Sequence, residues 1–378
     1  MSPMRTLSTV PTPTLVLDRR IAARNMARMR DHLASVAGDV LFRPHLKTAK
    51  SIAVADMLFD GARHPITVST LKEAELFGAA GFTDILYAVG LSPQKIAAVQ
   101  VLREQGINLT VVTDNVAMAN AIRDAAPGGA LLTLIELDVD GHRAGVAFDD
   151  GTTLIAIAAA LGPNFAGVMT HAGGSYALSH PHELAHFADQ EAARAATAAR
   201  LLEQGGHACR IVSIGSTPTG NAVRNLDGVT EFRAGVFMFG DLVMHGVGVC
   251  PLEDIALSVL TTVIGTYPER GLVIVDAGWM ALSRDRGTSG QAVDQGYGLV
   301  CRLDGQVLGD LIVLQANQEH GVIGVRPGAT TGLPALSVGD RLRILPNHAC
   351  ATAAQHGRYE VVAGSPDVVD SWERFSGW

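Results

Sequence analysis

"ITVSTLKEAELFGAAGFTDILYAVGLSPQKIAAVQVLREQGINLTVVTD" (66–114) reads as strand, helix, strand, helix, strand. The runs "ITVST" (66–70), "DILYAV" (84–89) and "LTVVTD" (109–114) are short and nearly continuously apolar. Between them, "LKEAELFGAAG" and "PQKIAAVQVLREQG" carry apolar residues at helical spacing. A strand that returns through a helix lies parallel to its predecessor, and strands apolar on both sides belong in a sheet covered on both faces.

Outward from this stretch the pattern continues. "LFRPHL" (41–46) precedes it, and "LLTLIELDV" (131–139), "FAGVMTH" (165–171), "RIVSIG" (210–215) and "EFRAGVF" (231–237) follow, making eight runs. The helical "HELAHFADQEAARAATAARLLEQGG" separates the sixth from the seventh, and "RRIAARNMARMRDHLASVAG" precedes the first. The expected class is α/β: a closed (β/α)8 TIM-type barrel over residues 20–248, with a doubly wound open sheet as the alternative. Beyond residue 248 long helical patterns stop. "LSVLTTVIGTY", "GLVIVDAG", "DLIVLQAN" and "DRLRILP" alternate with Gly- and Pro-containing turns, which predicts a β-rich second domain over 249–378. The segment 1–19 contains the strand "TPTLVLD", left without a barrel partner and assigned to that second domain.

Of the 378 residues, 48% are hydrophobic, enough for a large core, while a net charge of −8 and pI near 5.9 argue against a nucleic-acid or anionic-membrane partner. No apolar run reaches bilayer length, and the first residues lack the apolar stretch of a secretory signal. Four scattered cysteines form no CxxC, so a disulfide framework is not expected. The expectation is a cytoplasmic protein acting on a small molecule.

In such a barrel the working face lies where strands end and loops to the helices begin. The first run ends in His45 and Lys47; the fifth in His142 and Arg143; the sixth in His171 and Tyr176. The seventh opens into "GSTPT" (215–219), and the eighth carries "RAGVF". Backbone N–H groups and the hydroxyls of Ser216 and Thr217 suit a phosphate, as does the backbone at Gly235 and Val236. No GxxxxGK[ST] or GxGxxG motif points to a nucleotide. A lysine at one rim position and a phosphate cradle across from it fit pyridoxal 5'-phosphate, whose aldehyde condenses with an amine. Lys47 taken alone reads as a solvated surface lysine; its company at the rim reverses that reading.

Two HxC pairs stand apart from the barrel strands. "LPNHACATA" (345–353) contains His348 and Cys350, which can share one metal ion if the backbone is extended. "GHAC" (206–209) repeats the spacing in His207 and Cys209, but just before the seventh strand, at the end opposite the working rim. That copy is read as structural.

Through "RPHLKTAKS", "VSTLKEAE", "DVDGHRAGV", "THAGGSY", "SIGSTPT", "RAGVFMFGD", "VDAGWMALSRDRG", "ANQEHG" and "LPNHACATA", the chain resembles the D-serine dehydratase and D-threonine aldolase family, enzymes of the alanine-racemase fold. The resemblance implies that Lys47 holds the cofactor, that Arg143 lies near its phenolic oxygen, and that Ser216, Thr217, Gly235 and Val236 contact its phosphate. It places His171 and Tyr176 around the cofactor. It also makes His348 and Cys350 a pair for a divalent metal: zinc first, with manganese or magnesium as alternatives. The aldolase branch usually has aspartate at the second metal position, so Cys350 points to the dehydratases.

The implied reaction is loss of water from a D-β-hydroxy amino acid, 3-hydroxyaspartate giving oxaloacetate and ammonia, or serine giving pyruvate and ammonia. Retro-aldol cleavage is the alternative, and a non-catalytic cofactor-binding protein a third. A homodimer is implied as well. Arg284 and Arg286 in "SRDRGT" either receive a substrate's second carboxylate or are surface arginines paired with Asp285.

Overall fold

The computed structural model describes residues 5–36, 39–141 and 143–378, so His142 lies outside the described residues. The chain divides into two compact units. One comprises the chain up to Ala27 together with Val236–Phe375; the other is Arg28–Gly235 with Ser376–Trp378. The breaks differ from the expected 19/20 and 248/249 for local reasons. Asn25 Nδ2 donates to the Asp254 carbonyl at 2.7 Å, which holds the first turns of the helix Arg19–Val36 to the β-rich unit. After Gly235 the chain does the same: Ala256 N donates to Phe239 O at 2.7 Å, and Leu242 N to Pro346 O at 3.0 Å.

Strand β1 (Thr14–Asp18) belongs to the β-rich unit. The other unit is built from β2 (Leu41–Phe42), β3 (Ile66–Val68), β4 (Asp84–Gly90), β5 (Asn108–Thr113), β6 (Thr133–Asp138), β7 (Val146–Ala147), β8 (Phe165–Thr170), β9 (Ile211–Ile214) and β10 (Glu231–Phe232). Their order is β2-β10-β9-β8-β6-β5-β4-β3, all parallel, with the unpredicted two-residue β7 pairing only to β6. The ring closes just past β2. His45 bridges Thr67 in parallel, with Thr67 N donating to Pro44 O and Leu46 N to Thr67 O, both at 2.9 Å. All eight expected strands are present and the sheet is closed, which rules out the open alternative.

Leu86, Val112, Leu134, Ala166 and Met169 form one buried layer. The turns into the helices carry their own caps: Thr70 accepts from Glu73 N, Asn115 from Met118 N, Asp150 from Thr153 N and Ser216 from Thr219 N. Each cap satisfies one of the four N–H groups that a helix start leaves unpaired.

The β-rich unit continues through β11 (Leu257–Tyr267), β12 (Leu272–Val275), β13 (Leu299–Cys301), β14 (Val307–Ala316), β15 (Gly321–Val325), β16 (Arg341–Leu345), β17 (Arg358–Val362) and β18 (Val368–Glu373). Six of these form a closed antiparallel ring, β11-β12-β15-β14-β13-β16 and back to β11. Eleven residues make β11 long enough to serve two partners in succession: residues 257–260 pair with β1, and 263–267 with β12. β17 lies parallel on the other side of β1, with β18 antiparallel beside it. Leu7, Val10, Val16, Leu260 and Val362 pack beneath this extension. Among the described residues, no helix is long and apolar enough to cross a membrane.

Candidate active site

The carboxyl ends of the parallel strands gather the polar residues of the first unit. Past β2, His45 is buried and Lys47 two residues on is exposed, its backbone N–H pointing at His45 Nδ1 at 3.4 Å. His171 follows β8, with Nδ1 3.4 Å from the Gly215 carbonyl and its ring 6.2 Å from that of Tyr176. Burial lowers the basicity of both histidines, and the charges of Lys47 and Arg233 add to it. Arg143 adds to the effect on His171, whose pKa falls to about 3. His171 and His45 are therefore neutral at physiological pH. Arg143 itself is exposed and lies 3.5 Å from Glu136, whose carboxyl burial pushes up against the pull of Arg143.

Across the rim, Ser216 caps the short helix Thr217–Ala222. Its hydroxyl accepts from Thr219 N at 3.2 Å, its own N–H donates to Thr219 Oγ1 at 3.0 Å, and Ser175 Oγ lies 3.1 Å away. Gly235 backs onto β2's loop: a Cβ there would stand 3.0 Å from His45 O and 3.3 Å from Thr48 Oγ1. The buried N–H groups of Gly235 and of Val236, which opens the 3-10 turn Val236–Met238, donate to no oxygen among the described residues. Buried N–H groups are rarely left so, and a phosphate is the kind of ligand that satisfies them. An amine, an unfilled glycine and two orphaned donors fit pyridoxal 5'-phosphate.

Beneath the rim runs a charged network that the sequence reading missed. Arg43 Nε holds Glu231 at 2.5 Å and its Nη1 holds Asp84 at 2.7 Å. Ser213 Oγ donates to Glu231 at 2.6 Å and receives Arg233 Nε at 2.8 Å, while Arg233 Nη2 donates to the Thr170 carbonyl. Thr170 Oγ1 in turn donates to Glu191 at 2.5 Å, and Gly215 N to the same oxygen at 2.9 Å. One signal was available: "EFR" puts Glu231 and Arg233 on the same side of a strand, an unusual pair for a barrel interior.

In the β-rich unit, His348 is the extended residue at the start of the five-residue helix Ala349–Ala353 and makes no side-chain cap bond. Cys350 lies in the helix's first turn, so the pair does not sit on the continuous extended backbone that the spacing led us to expect. His348 Nδ1 bonds Asp285 Oδ2 at 2.7 Å. Burial opposes a charge on this imidazole, but Asp285, Cys350 and the buried Asp241 outweigh it and raise its pKa to about 11. Such surroundings favour a cation. With Nδ1 held by a carboxylate, Nε2 is the nitrogen left for a metal, the usual arrangement of a ligating histidine. Among the described residues, no cluster of three or more His, Cys, Asp or Glu side chains is disposed around a common ion position.

Asp285 pairs with neither of its neighbouring arginines, contrary to one of the two readings. Arg286 holds Asp294 at 2.7 Å and lies over the Tyr297 ring; Arg284 stacks on Trp279 at 5.1 Å. The second HxC pair is dispersed into packing, with the His207 ring edge-on to Phe165 at 6.2 Å and Cys209 Sγ 3.6 Å from Ile211 O.

Two family profiles match the chain. "Alanine racemase, N-terminal domain" covers residues 17–243, and "Putative serine dehydratase domain" covers 256–362. D-threo-3-hydroxyaspartate dehydratase from Delftia sp. (strain HT23) is 49% identical over 99% of each chain. D-serine dehydratase from Dictyostelium discoideum is 29% identical over 98% of each, and D-threonine aldolase from Arthrobacter sp. is 31% identical over 97% of this chain and 93% of that one. Solved structures of a histidine-to-alanine and a cysteine-to-alanine variant of D-threo-3-hydroxyaspartate dehydratase superpose with TM-scores of 0.95 and 0.94, each at 48% identity. The first covers 100% of this chain and 98% of that one; the second covers 99% and 100% and is described as metal-free. The two replaced residues are two positions apart, the spacing of His348 and Cys350.

Proposed function

Because the chain belongs to the family of D-serine dehydratases and D-threonine aldolases, we propose that it is a pyridoxal 5'-phosphate- and divalent-metal-dependent lyase acting on D-3-hydroxy amino acids. D-threo-3-hydroxyaspartate is its first substrate and D-serine its second. Water leaves, water returns to release ammonia, and a 2-oxo acid remains. The observation that carries the reading is the His348–Cys350 pair with Asp285 behind it, in a chain similar over its full length to a hydroxyaspartate dehydratase.

Lys47 supplies the amine that anchors the cofactor and that then accepts the proton from substrate Cα. When bound, the cofactor provides an electron sink for the pair of electrons left at that carbon. Ser216, Thr217, Gly235 and Val236 would hold its phosphate, and Arg143 would serve its phenolic oxygen. His171 and Tyr176 flank it, and a neutral His171 adds no positive charge beside Lys47. His348 and Cys350 would hold the metal, which would supply Lewis acidity for the loss of hydroxide, a poor leaving group unaided. Imidazole and thiolate favour zinc over manganese or magnesium.

Of the two arginines near Asp285, Arg286 is committed to Asp294, whereas Arg284 stacks on Trp279 and makes no ion pair among the described residues, which leaves its N–H donors for a second substrate carboxylate. The reading carries with it a cytoplasmic location and a homodimer, the latter tested directly by sedimentation at assay concentration.

Purified protein incubated with D-threo- and D-erythro-3-hydroxyaspartate and with D-serine should yield oxaloacetate or pyruvate and equimolar ammonia. Glycine and an aldehyde would place it with the aldolases. Borohydride reduction should leave a pyridoxyl group on Lys47 by mass spectrometry. The same mass on Lys50, which instead pairs with Glu73 at 3.1 Å, would overturn that assignment.

A further inference from the structure

Helix Pro181–Gln204 buries Leu184, Ala188, Ala192, Ala195, Ala196, Ala198, Ala199 and Leu202, and among them one carboxyl group, Glu191, only 2% exposed. A leucine would fill that volume without the cost of burying a polar group. The carboxyl is used in one direction only. Oε1 receives both the Thr170 hydroxyl and the Gly215 N–H, while Oε2 is buried and makes no hydrogen bond within 3.5 Å among the described residues, with Thr219 of the same loop close enough to favour the charged form.

Thr170 is the last residue of β8 and Gly215 the first after β9, where the rim residues begin. Thr170 precedes His171, and Gly215 precedes Ser216. Gly215 has φ +124°, a backbone conformation that leaves no room for a side chain to fix it, and its carbonyl is the partner of His171 Nδ1. The capping box of Ser216 and Thr219 holds the loop from within, and Glu191 holds its first residue, Gly215, from the helix behind it.

We propose that Glu191 is the positioning residue for the cofactor's phosphate: by accepting from Gly215 N and Thr170 Oγ1 it fixes the 215–219 loop that cradles it. The proposal rests on the cofactor reading above. An ionised carboxylate directly behind a phosphate cradle would oppose the dianion, but burial pushes this carboxyl up, against the pull of Thr170, Gly215 and Arg233.

The test titrates apoprotein with pyridoxal 5'-phosphate and, separately, with pyridoxal, which reaches Lys47 but carries no phosphate. E191Q keeps the acceptor oxygen and should bind the phosphorylated cofactor within about threefold of wild type. E191A should bind it about 10- to 100-fold more weakly, the range for losing a hydrogen bond to a charged ligand's cradle. Its pyridoxal affinity should be unchanged. If E191A fails to fold, E191D, which withdraws the oxygen by one methylene, should show the same selective loss. Equal losses for both aldehydes, wild-type phosphate binding in E191A, or a loss in E191Q matching that in E191A would each overturn the proposal. Wild-type protein that binds neither aldehyde would instead bring down the cofactor reading, and this inference with it.

Discussion

The chain contains the same three-residue spacing twice, and only one copy has a carboxylate set against its imidazole. His207 and Cys209 precede β9 at the amino end of the barrel, where the ring packs on Phe165 and the thiol faces a carbonyl. Burial, with Glu203 nearby, pushes that thiol up to about 12. His348 and Cys350 sit instead at a helix start, with Asp285 on the imidazole and Asp241 close by. The spacing is common to both. What differs is the neighbouring carboxylate, which orients the ring, and the negative surroundings, which favour a cation over an apolar contact.

The sharpest way to break this comparison is by substitution in each copy. His348→Ala and Cys350→Ala should each lower ammonia release from D-threo-3-hydroxyaspartate by on the order of 10³, several kcal/mol of lost Lewis-acid assistance. His207→Ala and Cys209→Ala should stay within about twofold. Loss of activity in the second pair, with the fold intact, would erase the distinction.

Thiol chemistry should separate the two as well. A shift from 9.0 to about 12 cuts the thiolate fraction of Cys209 by about 10³, so iodoacetamide near pH 8 should leave it unmodified. Added zinc should protect Cys350 and make no difference to Cys209, as peptide mapping will show. Asp285→Asn, which keeps the size of the side chain but removes its charge, should weaken zinc binding by about 10- to 100-fold. The smallest effect belongs to His207→Ala, about 1 kcal/mol of stability from the lost edge-to-face contact, read as a shift in denaturant midpoint.

How much was visible beforehand follows the range of the interactions. The eight barrel strands could be read because each is a local apolar run, and the rim residues because each follows one of those runs. Where Pro44 and the bridge at His45 interrupt regular pairing, "LFRPHL" shrinks to the two residues of β2. Closure itself depends on Thr67, a partner no local pattern names. Glu231 meets Arg43 and Ser213 only through the register of β10 between β2 and β9. Glu191 looks in the sequence like any polar position of a long helix. Asp285 lies 63 residues from His348 and stands between two arginines, so its sequence neighbours suggested the wrong partners.

The central claim, that the His348–Cys350 copy is a working metal site for water elimination, is met most directly by one assay. Protein stripped with a chelator and freed of it is given D-threo-3-hydroxyaspartate, and ammonia is followed before and after a divalent ion is restored. The account predicts that release ceases on stripping and returns with the ion, while the cofactor's absorbance persists throughout. Full ammonia release from thoroughly metal-free protein would contradict it.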